Sequence, residues 1–189
     1  MTCSTGLLAK LTAVRATTQP QPSRLEQEVV TLFDELRNPV LRYLLSCRVP
    51  VADAEEIVQE TFLLLFRHLR AGKPRDNLQG WIFGVAHNLA LKHHARVRRE
   101  AADGGAELET TAAAEPGPAE RYELLEQQHG LLAILRALPE QDQRCLSLRA
   151  EGLRYREIAR ILGMSLGSVA NSLSRSLGRL ARGVGAHVR

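Results

Sequence analysis

Three cations and an amide recur at helical spacing between residues 81 and 99. They stand four, four and three residues apart: Asn88, Lys92, Arg96 and Arg99. On a helix this spacing puts them in one stripe, and such a stripe suits contact with the phosphates of a nucleic acid. A solvated helix end favoured by the helix dipole is the alternative interpretation.

A second polar group lies in the stretch GMSLGSVANSLSRSLGRLAR, residues 163–182. Ahead of it and within it, Ala159, Gly163 and Val169 have the spacing of a helix-turn-helix. Ala159 is small enough for a close helix crossing, and Gly163 tolerates the left-handed turn. Ser165 is placed to cap the second helix.

A helix-turn-helix of this kind reads DNA with the outer face of its second helix. The candidate DNA-binding residues on that face are Ser165, Gly167, Ser168, Asn171, Ser174, Arg175 and Arg179. Asn171 has the groups to pair with adenine, whereas Arg179 is better placed for phosphates. A plain helical hairpin is the alternative, but the basic charge of the surrounding segment favours DNA binding.

A third surface is acidic and lies on the helix that follows Val51. Its polar residues are Asp53, Glu56, Gln59 and Glu60, opposite an apolar stripe. Asp53 and Glu56 also have the spacing of a capping box, with Asp53 as the N-cap. Taken by itself, such a face is most often simply solvated.

Other kinds of site have no pattern to support them. We find no nucleophile paired with a base and no phosphate-binding glycine loop, so we expect no enzymatic activity and no cofactor. Cys3, Cys47 and Cys145 are isolated, which argues against a metal site and fits a reducing cytosol. The chain contains no apolar run of the roughly 20 residues that a membrane span requires.

These surfaces must be carried by helices, because apolar residues recur at helical spacing and strand-like alternation is almost absent. We predict an all-α fold of two small helical domains joined by a flexible linker. Residues 100–120 carry six acids and no base, a composition typical of such a linker. Helix breaks are expected at Asn38-Pro39 and Leu138-Pro139. The predicted segments are a disordered tail (1–24), a first domain (25–99), the acidic linker (100–120), a second domain (121–183) and a C-terminal tail (184–189).

Two long stretches resemble one protein family. DAEEIVQETFLLLFRHL followed by GWIFGVAHNLALKHHARVRR resembles region 2 of bacterial RNA polymerase sigma factors of the extracytoplasmic-function (ECF) class, in the sigma-70 family. LPEQDQRCLSLRAEGLRYREIARILGMSLGSVANSLSRSLGRL is similar to region 4 of the same class. The resemblance covers most of residues 25–182 and implies a region 2-like bundle of three or four helices before a region 4-like helix-turn-helix bundle.

The resemblance implies roles for the first domain. The residues Asp53, Glu56, Gln59 and Glu60 match the face that docks on the clamp helices of core RNA polymerase. A third helix is predicted from about Leu78 to Arg99. The segment from Lys73 to Gln79, with the start of this helix, matches the element that captures an unstacked base during melting of the −10 promoter element. The −10 candidates are Lys73, Arg75, Asn77, Trp81, Asn88, Lys92, Arg96 and Arg99.

For the second domain the resemblance implies that region 4 reads the −35 element and docks on the polymerase flap. The acidic linker resembles the connector that runs toward the RNA exit channel. The sequence departs from its relatives at Ala170, Ser172 and Ser174, where they usually place Lys or Arg, and we therefore predict a weak −35 contact. Arg154 also replaces the usual Ser or Thr cap of the first helix in the motif.

The predicted function is that of an alternative sigma factor, which binds core RNA polymerase and directs promoter recognition, −10 melting and transcription initiation. Its expected partners are core polymerase, promoter DNA and an anti-sigma factor or another regulator. It is expected in the cytoplasm, at the nucleoid through RNA polymerase. The alternatives are a free-standing regulator that binds an operator as a dimer, and an interaction module that has lost DNA binding.

Overall fold

The computed structural model describes residues 23–103 and 132–187. Across these ranges it contains helices and no strand, so the predicted all-α class is confirmed. The N-terminal module consists of α1 (Arg24–Ser46), α2 (Val51–Arg70) and α3 (Leu78–Asp103). The C-terminal module consists of helical residues 132–136, α4 (Glu140–Ala150), α5 (Tyr155–Leu162) and α6 (Leu166–His187). The tail before residue 23, most of the acidic linker and the start of the second domain lie outside the described residues.

The N-terminal module is a three-helix unit in which α1 packs on α2 and both contact α3. Its core is aliphatic and aromatic: Val40, Leu44, Val58, Phe62, Leu65, Ile82 and Phe83 are buried. A capping box starts α1, since Ser23 Oγ accepts from the Glu26 amide at 3.3 Å and Glu26 accepts from the Ser23 amide at 2.6 Å. Both exchanges satisfy amides that a helix start leaves unpaired.

Two local predictions for this module are wrong. Pro39 does not break α1, which runs through it, because the fully buried Tyr43 and Leu44 hold the second half of the helix on the core. Tertiary packing thus offsets the single backbone hydrogen bond that proline removes. Asp53 is not the N-cap of α2, which begins two residues earlier, after the extended Pro50. Asp53 lies in the first turn instead, where its negative charge interacts favourably with the helix dipole.

The C-terminal module contains the predicted helix-turn-helix. Gly163 ends α5 with φ of 64°, Val169 is fully buried, and Ser165 Oγ accepts from the Ser168 amide at 3.1 Å. At the start of α5 the Glu157 carboxylate accepts from the Arg154 amide at 2.6 Å, which is the glutamate half of a capping box. The Arg154 side chain itself makes no cap hydrogen bond. The break at Leu138-Pro139 is also confirmed.

Two helices are longer than predicted. α3 continues to Asp103 rather than Arg99, and α6 continues to His187, into the predicted C-terminal tail. Glu100 faces Arg96 one turn earlier at 4.0 Å, and alanines follow it, so the α3 extension agrees with helix propensity.

The two modules pack against each other, with α1 on α4 and α3 on α5. Arg42 donates from Nε and Nη2 to both carboxylate oxygens of Glu151, at 2.9 and 2.8 Å. Gln79 Nε2 donates to the Glu151 backbone carbonyl at 3.0 Å. Buried apolar residues of both modules form one continuous core. The sequence pattern predicts two linked domains but gives no indication of this contact.

Candidate nucleic-acid interface

The stripe on α3 is exposed, as its spacing predicts. Asn88, Lys92, Arg96 and Arg99 are all exposed to solvent. Arg96 lies 3.9 Å from Asp53 and 4.0 Å from Glu100, and Arg99 Nε donates to the Ala95 carbonyl at 3.1 Å. Exposed ion pairs at such distances are weak, so these contacts leave the guanidinium groups able to meet phosphates.

The acidic face of α2 separates into two parts. Glu56, Gln59 and Glu60 are exposed together, whereas the half-buried Asp53 turns toward α3. Its carboxylate lies 3.8 Å from His93 Nδ1 and 3.9 Å from Arg96. Asp53 therefore faces α3, and the structure does not group it with the other three.

The exposed acidic face also carries an apolar residue, and sequence analysis did not identify this residue. Leu63 is 59% exposed and follows Gln59 and Glu60 by four and three residues, which places it on the same side of α2. Its signal in the sequence was a large apolar residue among polar ones on an otherwise solvated stripe.

The loop before α3 is held by several contacts. Asn77 has φ of 57°, and its Oδ1 accepts from the Gly80 amide at 3.1 Å, so it caps α3. A Cβ at Gly80 would lie 2.4 Å from the side-chain Nδ2 of Asn77. A residue larger than glycine at this position would therefore displace the capping side chain. Lys73 and Arg75 are exposed, and Arg75 pairs with Glu28.

Trp81 follows this loop and is half-buried. Its ring packs on that of His68, with centroids 4.5 Å apart, and His68 Nε2 lies 2.9 Å from the Pro74 carbonyl oxygen. The loop, α2 and the start of α3 thus meet around one aromatic pair. Such a ring is a surface on which an unstacked base can stack.

The outer face of α6 carries the predicted residues. Gly167, Ser168, Asn171, Ser174, Arg175 and Arg179 are exposed. Ser165 is exposed too, but its hydroxyl is engaged in the helix cap and lies 2.8 Å from Ser168 Oγ.

Ser172 requires a correction. The family resemblance identifies Ser172 as a position that lacks a DNA-contacting cation, but Ser172 is fully buried. Its hydroxyl donates to Asp142 Oδ1 at 2.6 Å. A Lys or Arg there would have to displace core side chains, so Ser172 is part of the packing between α4 and α6.

A buried polar pair lies where the modules meet. Tyr43 Oη and His87 Nδ1 are 2.8 Å apart, and both residues are nearly inaccessible to solvent. Burial, and then the positive charge of Arg144 from the C-terminal module, lower the pKa of His87 to about 4. The apolar pattern of α3 did not predict that His87 faces the core.

Within the described ranges, no group of His, Cys, Asp or Glu side chains is arranged to hold a metal ion. Among the same residues, no helix has the length and apolar character needed to cross a membrane.

Two family models match the chain, one for each module. Residues 32–100 match Sigma-70 region 2, and residues 128–180 match Sigma-70, region 4. The chain belongs to the sigma-70 family. As a sigma factor it binds core RNA polymerase and directs promoter recognition, −10 melting and transcription initiation, and the free-standing regulator is not favoured. Sigma factors are transcription initiation factors rather than enzymes.

Relatives place this sigma factor in the ECF class. It is 29% identical over 158 residues to ECF RNA polymerase sigma factor EcfG of Rhodopseudomonas palustris, covering 79% of this chain and 85% of that protein. It is 32% identical over 127 residues to ECF RNA polymerase sigma factor SigE of Mycolicibacterium smegmatis. That match covers 65% of this chain and 48% of SigE, so the chain spans about half the length of this relative.

Solved structures share the fold. The sigma factor RpoE of Bartonella quintana, crystallised with the anti-sigma factor NepR, superposes with a TM-score of 0.62 at 23% identity. That superposition covers 84% of this sigma factor and 95% of RpoE. CnrH, in complex with the cytosolic domain of CnrY, gives a TM-score of 0.55 at 20% identity over 85% and 89% of the two chains.

Proposed function

We propose that this sigma factor uses three separate surfaces for its three tasks. The exposed face of α2 docks on the clamp helices of core RNA polymerase, the loop before α3 and the α3 stripe act at the −10 element, and α6 reads the −35 element. The observation that carries this proposal is the placement of acidic, basic and amide side chains on different exposed helices. Each surface has the chemistry of a different partner.

The docking surface combines charge with an apolar contact. Glu56, Gln59 and Glu60 present carboxylates and an amide, which complement a basic partner. Leu63 beside them is large, apolar and exposed, and it would lose its water on docking. Asp53 lies beside this docking surface on this proposal, since its carboxylate faces His93 and Arg96 of α3.

The −10 surface combines a stacking ring with cations. A flipped base stacks on the exposed part of the Trp81 ring. Lys73 and the α3 stripe contact the DNA backbone around that base. Flipping a base costs a few kcal/mol, and stacking on an aromatic ring recovers about 1–3 kcal/mol of this cost. Asn77 shapes the loop through its cap on α3.

The −35 surface makes light contact. Asn171 has an amide for adenine, and Arg179 has a charge for phosphate. The small and hydroxyl-bearing residues between them add few cations. Polymerase docking and the −10 contacts therefore supply most of the promoter affinity, with the region 4 module also docking on the flap.

The proposal extends to regulation and place of action. Two of the similar structures were solved with NepR or with CnrY, and we propose a protein regulator of the anti-sigma kind for this chain. We also propose that it works in the cytoplasm with RNA polymerase, without a catalytic group or a cofactor of its own.

The direct test is transcription in vitro with purified core polymerase. We expect the protein to co-elute with core enzyme and to give start-site-specific transcripts from a promoter of its native host. Failure of both measurements would remove the proposal, and binding to core without transcripts would remove the promoter-reading part.

Charge removal on α3 tests the −10 surface. Replacing Lys92, Arg96 and Arg99 by Ala is expected to flatten the dependence of promoter affinity on salt, because each lost phosphate contact lowers the log–log slope by about 0.9. Three contacts would lower it by about 2 to 3. The measurement is holoenzyme binding to a promoter duplex at several salt concentrations. Arg37→Ala, which removes an exposed cation of α1, should leave the slope as it is; an unchanged slope in the triple variant would take these residues off the DNA surface.

A further inference from the structure

A buried carboxylate packs against the helix-turn-helix. Asp142 lies in the first turn of α4, and its side chain is only 4% exposed. Burying an unpaired carboxylate costs several kcal/mol, so a buried acid is retained only with partners. The dipole of α4 favours an acid in this turn, but an exposed acid such as Glu140 satisfies that preference equally well.

Both partners of Asp142 come from α6. Oδ1 accepts from the Ser172 hydroxyl at 2.6 Å, and Arg175 Nη2 lies 3.1 Å from Oδ1 and 3.5 Å from Oδ2. Ser172 is fully buried, so the carboxylate is fixed from the core side. It therefore presents its charge to Arg175 from a rigid position.

Arg175 is held but not consumed by this contact. Its side chain remains 61% exposed. A guanidinium has five N–H donors, and Asp142 engages one nitrogen. The remaining donors are available to a ligand on the outer face of α6.

Asp142 and Arg175 also line a recess. Asp142, Ser165, Ser168, Asn171 and Arg175 surround a polar space of about 430 Å³ that opens to solvent beside α6. Asn171 and Arg175 stand four residues apart, so they lie on one side of α6. The recess thus holds an amide and a positioned guanidinium, which are the two groups with bidentate matches to adenine and guanine.

We propose that Asp142 is a positioning residue for promoter reading. It fixes Arg175 toward an acceptor-bearing base edge, guanine being the match for its donors, and it offsets the charge that would otherwise attract any phosphate. This inference rests on the proposed −35 role of α6. Specificity is a difference of affinities, and the buried carboxylate increases that difference by weakening contact with unrelated DNA.

The test is Asp142→Asn in the full chain assembled with core polymerase. Asn keeps an acceptor for Ser172 and removes the charge. The probes are promoter duplexes with a −35 segment selected from random sequence by the wild-type holoenzyme, and the same duplexes with that segment scrambled. We expect the ratio of the two affinities to fall by about tenfold, and the salt slope on scrambled duplex to steepen by about 0.9 as Arg175 becomes a phosphate ligand.

Two variants separate positioning from a general effect. Glu140→Gln makes the same charge change on the same helix, next to Arg144 rather than Arg175, and should leave the ratio unchanged. In an Arg175→Ala background, Asp142→Asn should have no further effect on the ratio, since Asp142 acts through Arg175. Thermal unfolding of each variant checks that the module remains folded.

Three results would overturn the inference. An unchanged ratio in Asp142→Asn would show that Arg175 needs no positioning, and an equal loss in the Arg175→Ala background would show that the carboxylate serves the fold alone. If the wild-type holoenzyme selects no −35 sequence, the proposed role of α6 fails and this inference fails with it. A selected sequence with an unaffected Asp142→Asn ratio removes only the positioning role.

Discussion

Replacing Glu56, Gln59 and Glu60 together by Ala is expected to lower the affinity of this sigma factor for core RNA polymerase by about a hundredfold. All three side chains are exposed on one side of α2. A minority of interface residues cost more than about 1 kcal/mol each when truncated. We place these three in that minority, and a total of about 3 kcal/mol corresponds to this factor. The fold should not change, because none of the three is buried.

The measurement is competition between wild-type and variant protein for core enzyme, followed with a labelled wild-type sigma factor. Asp34 and Glu35 provide the matched control, since they are exposed acids on α1 outside the docking surface. Their replacement by Ala should change the affinity less than twofold. Equal affinity for the triple variant and the wild type would show that polymerase docks elsewhere.

The free energy of unfolding is expected to fall by roughly 2–3 kcal/mol between pH 7 and pH 4 on account of His87. Burial, with Arg144 nearby, lowers the pKa of His87 to about 4 in the folded state, whereas an unfolded histidine has a pKa near 6.5. Between these values the unfolded chain binds a proton that the folded chain excludes. The contribution is therefore complete above pH 6.5 and is lost as the pH falls through 4.

Urea unfolding at a series of pH values measures this loss. His87→Gln is the control, because Gln can still form a hydrogen bond with Tyr43 but does not titrate. The carboxylates titrate in both proteins, so the difference between the two profiles isolates His87. Parallel profiles would mean that His87 takes up its proton without disturbing the core.

The parts of the fold that sequence analysis predicted well depend on local rules. Gly163 ends α5 because the turn needs a left-handed residue, and Ser165 caps α6 because a hydroxyl there reaches an unpaired amide. Helical spacing alone put Asn88 and Lys92 on an exposed side of α3. Each rule involves residues within a few positions of one another, which is the range over which a single sequence is informative.

The errors occurred where a second influence overrides the local rule that was applied. Pro39 would end an isolated helix, but the core holds α1 together across it. Asp53 had the spacing of a cap, yet Pro50 starts α2 earlier and leaves Asp53 to face Arg96. Tertiary packing decided the first outcome, and the start of α2 after Pro50 decided the second.

Other features had no local signal. Ser172 resembled a lost DNA contact until the structure placed Asp142, thirty positions earlier, against its hydroxyl. Arg42 and Glu151 are 109 positions apart, and nothing in either stretch indicates the other. Such pairs are specified by the folded arrangement of whole helices.

The contact between the modules has a consequence for the reach of the molecule. The −10 and −35 elements are named for positions about 25 base pairs apart, which on a straight duplex is roughly 80 Å. The longest helix, α3, has 26 residues and is therefore about 39 Å long, so modules held in contact through Arg42, Gln79 and Glu151 fall short of that length. A segment of the length of residues 104–131 can bridge at most about 95 Å when fully extended, which is enough for modules that have parted. On the proposed roles of the two modules, the free energy of parting them lowers the promoter affinity of the isolated chain. A polymerase that binds the modules apart supplies that free energy before the promoter binds.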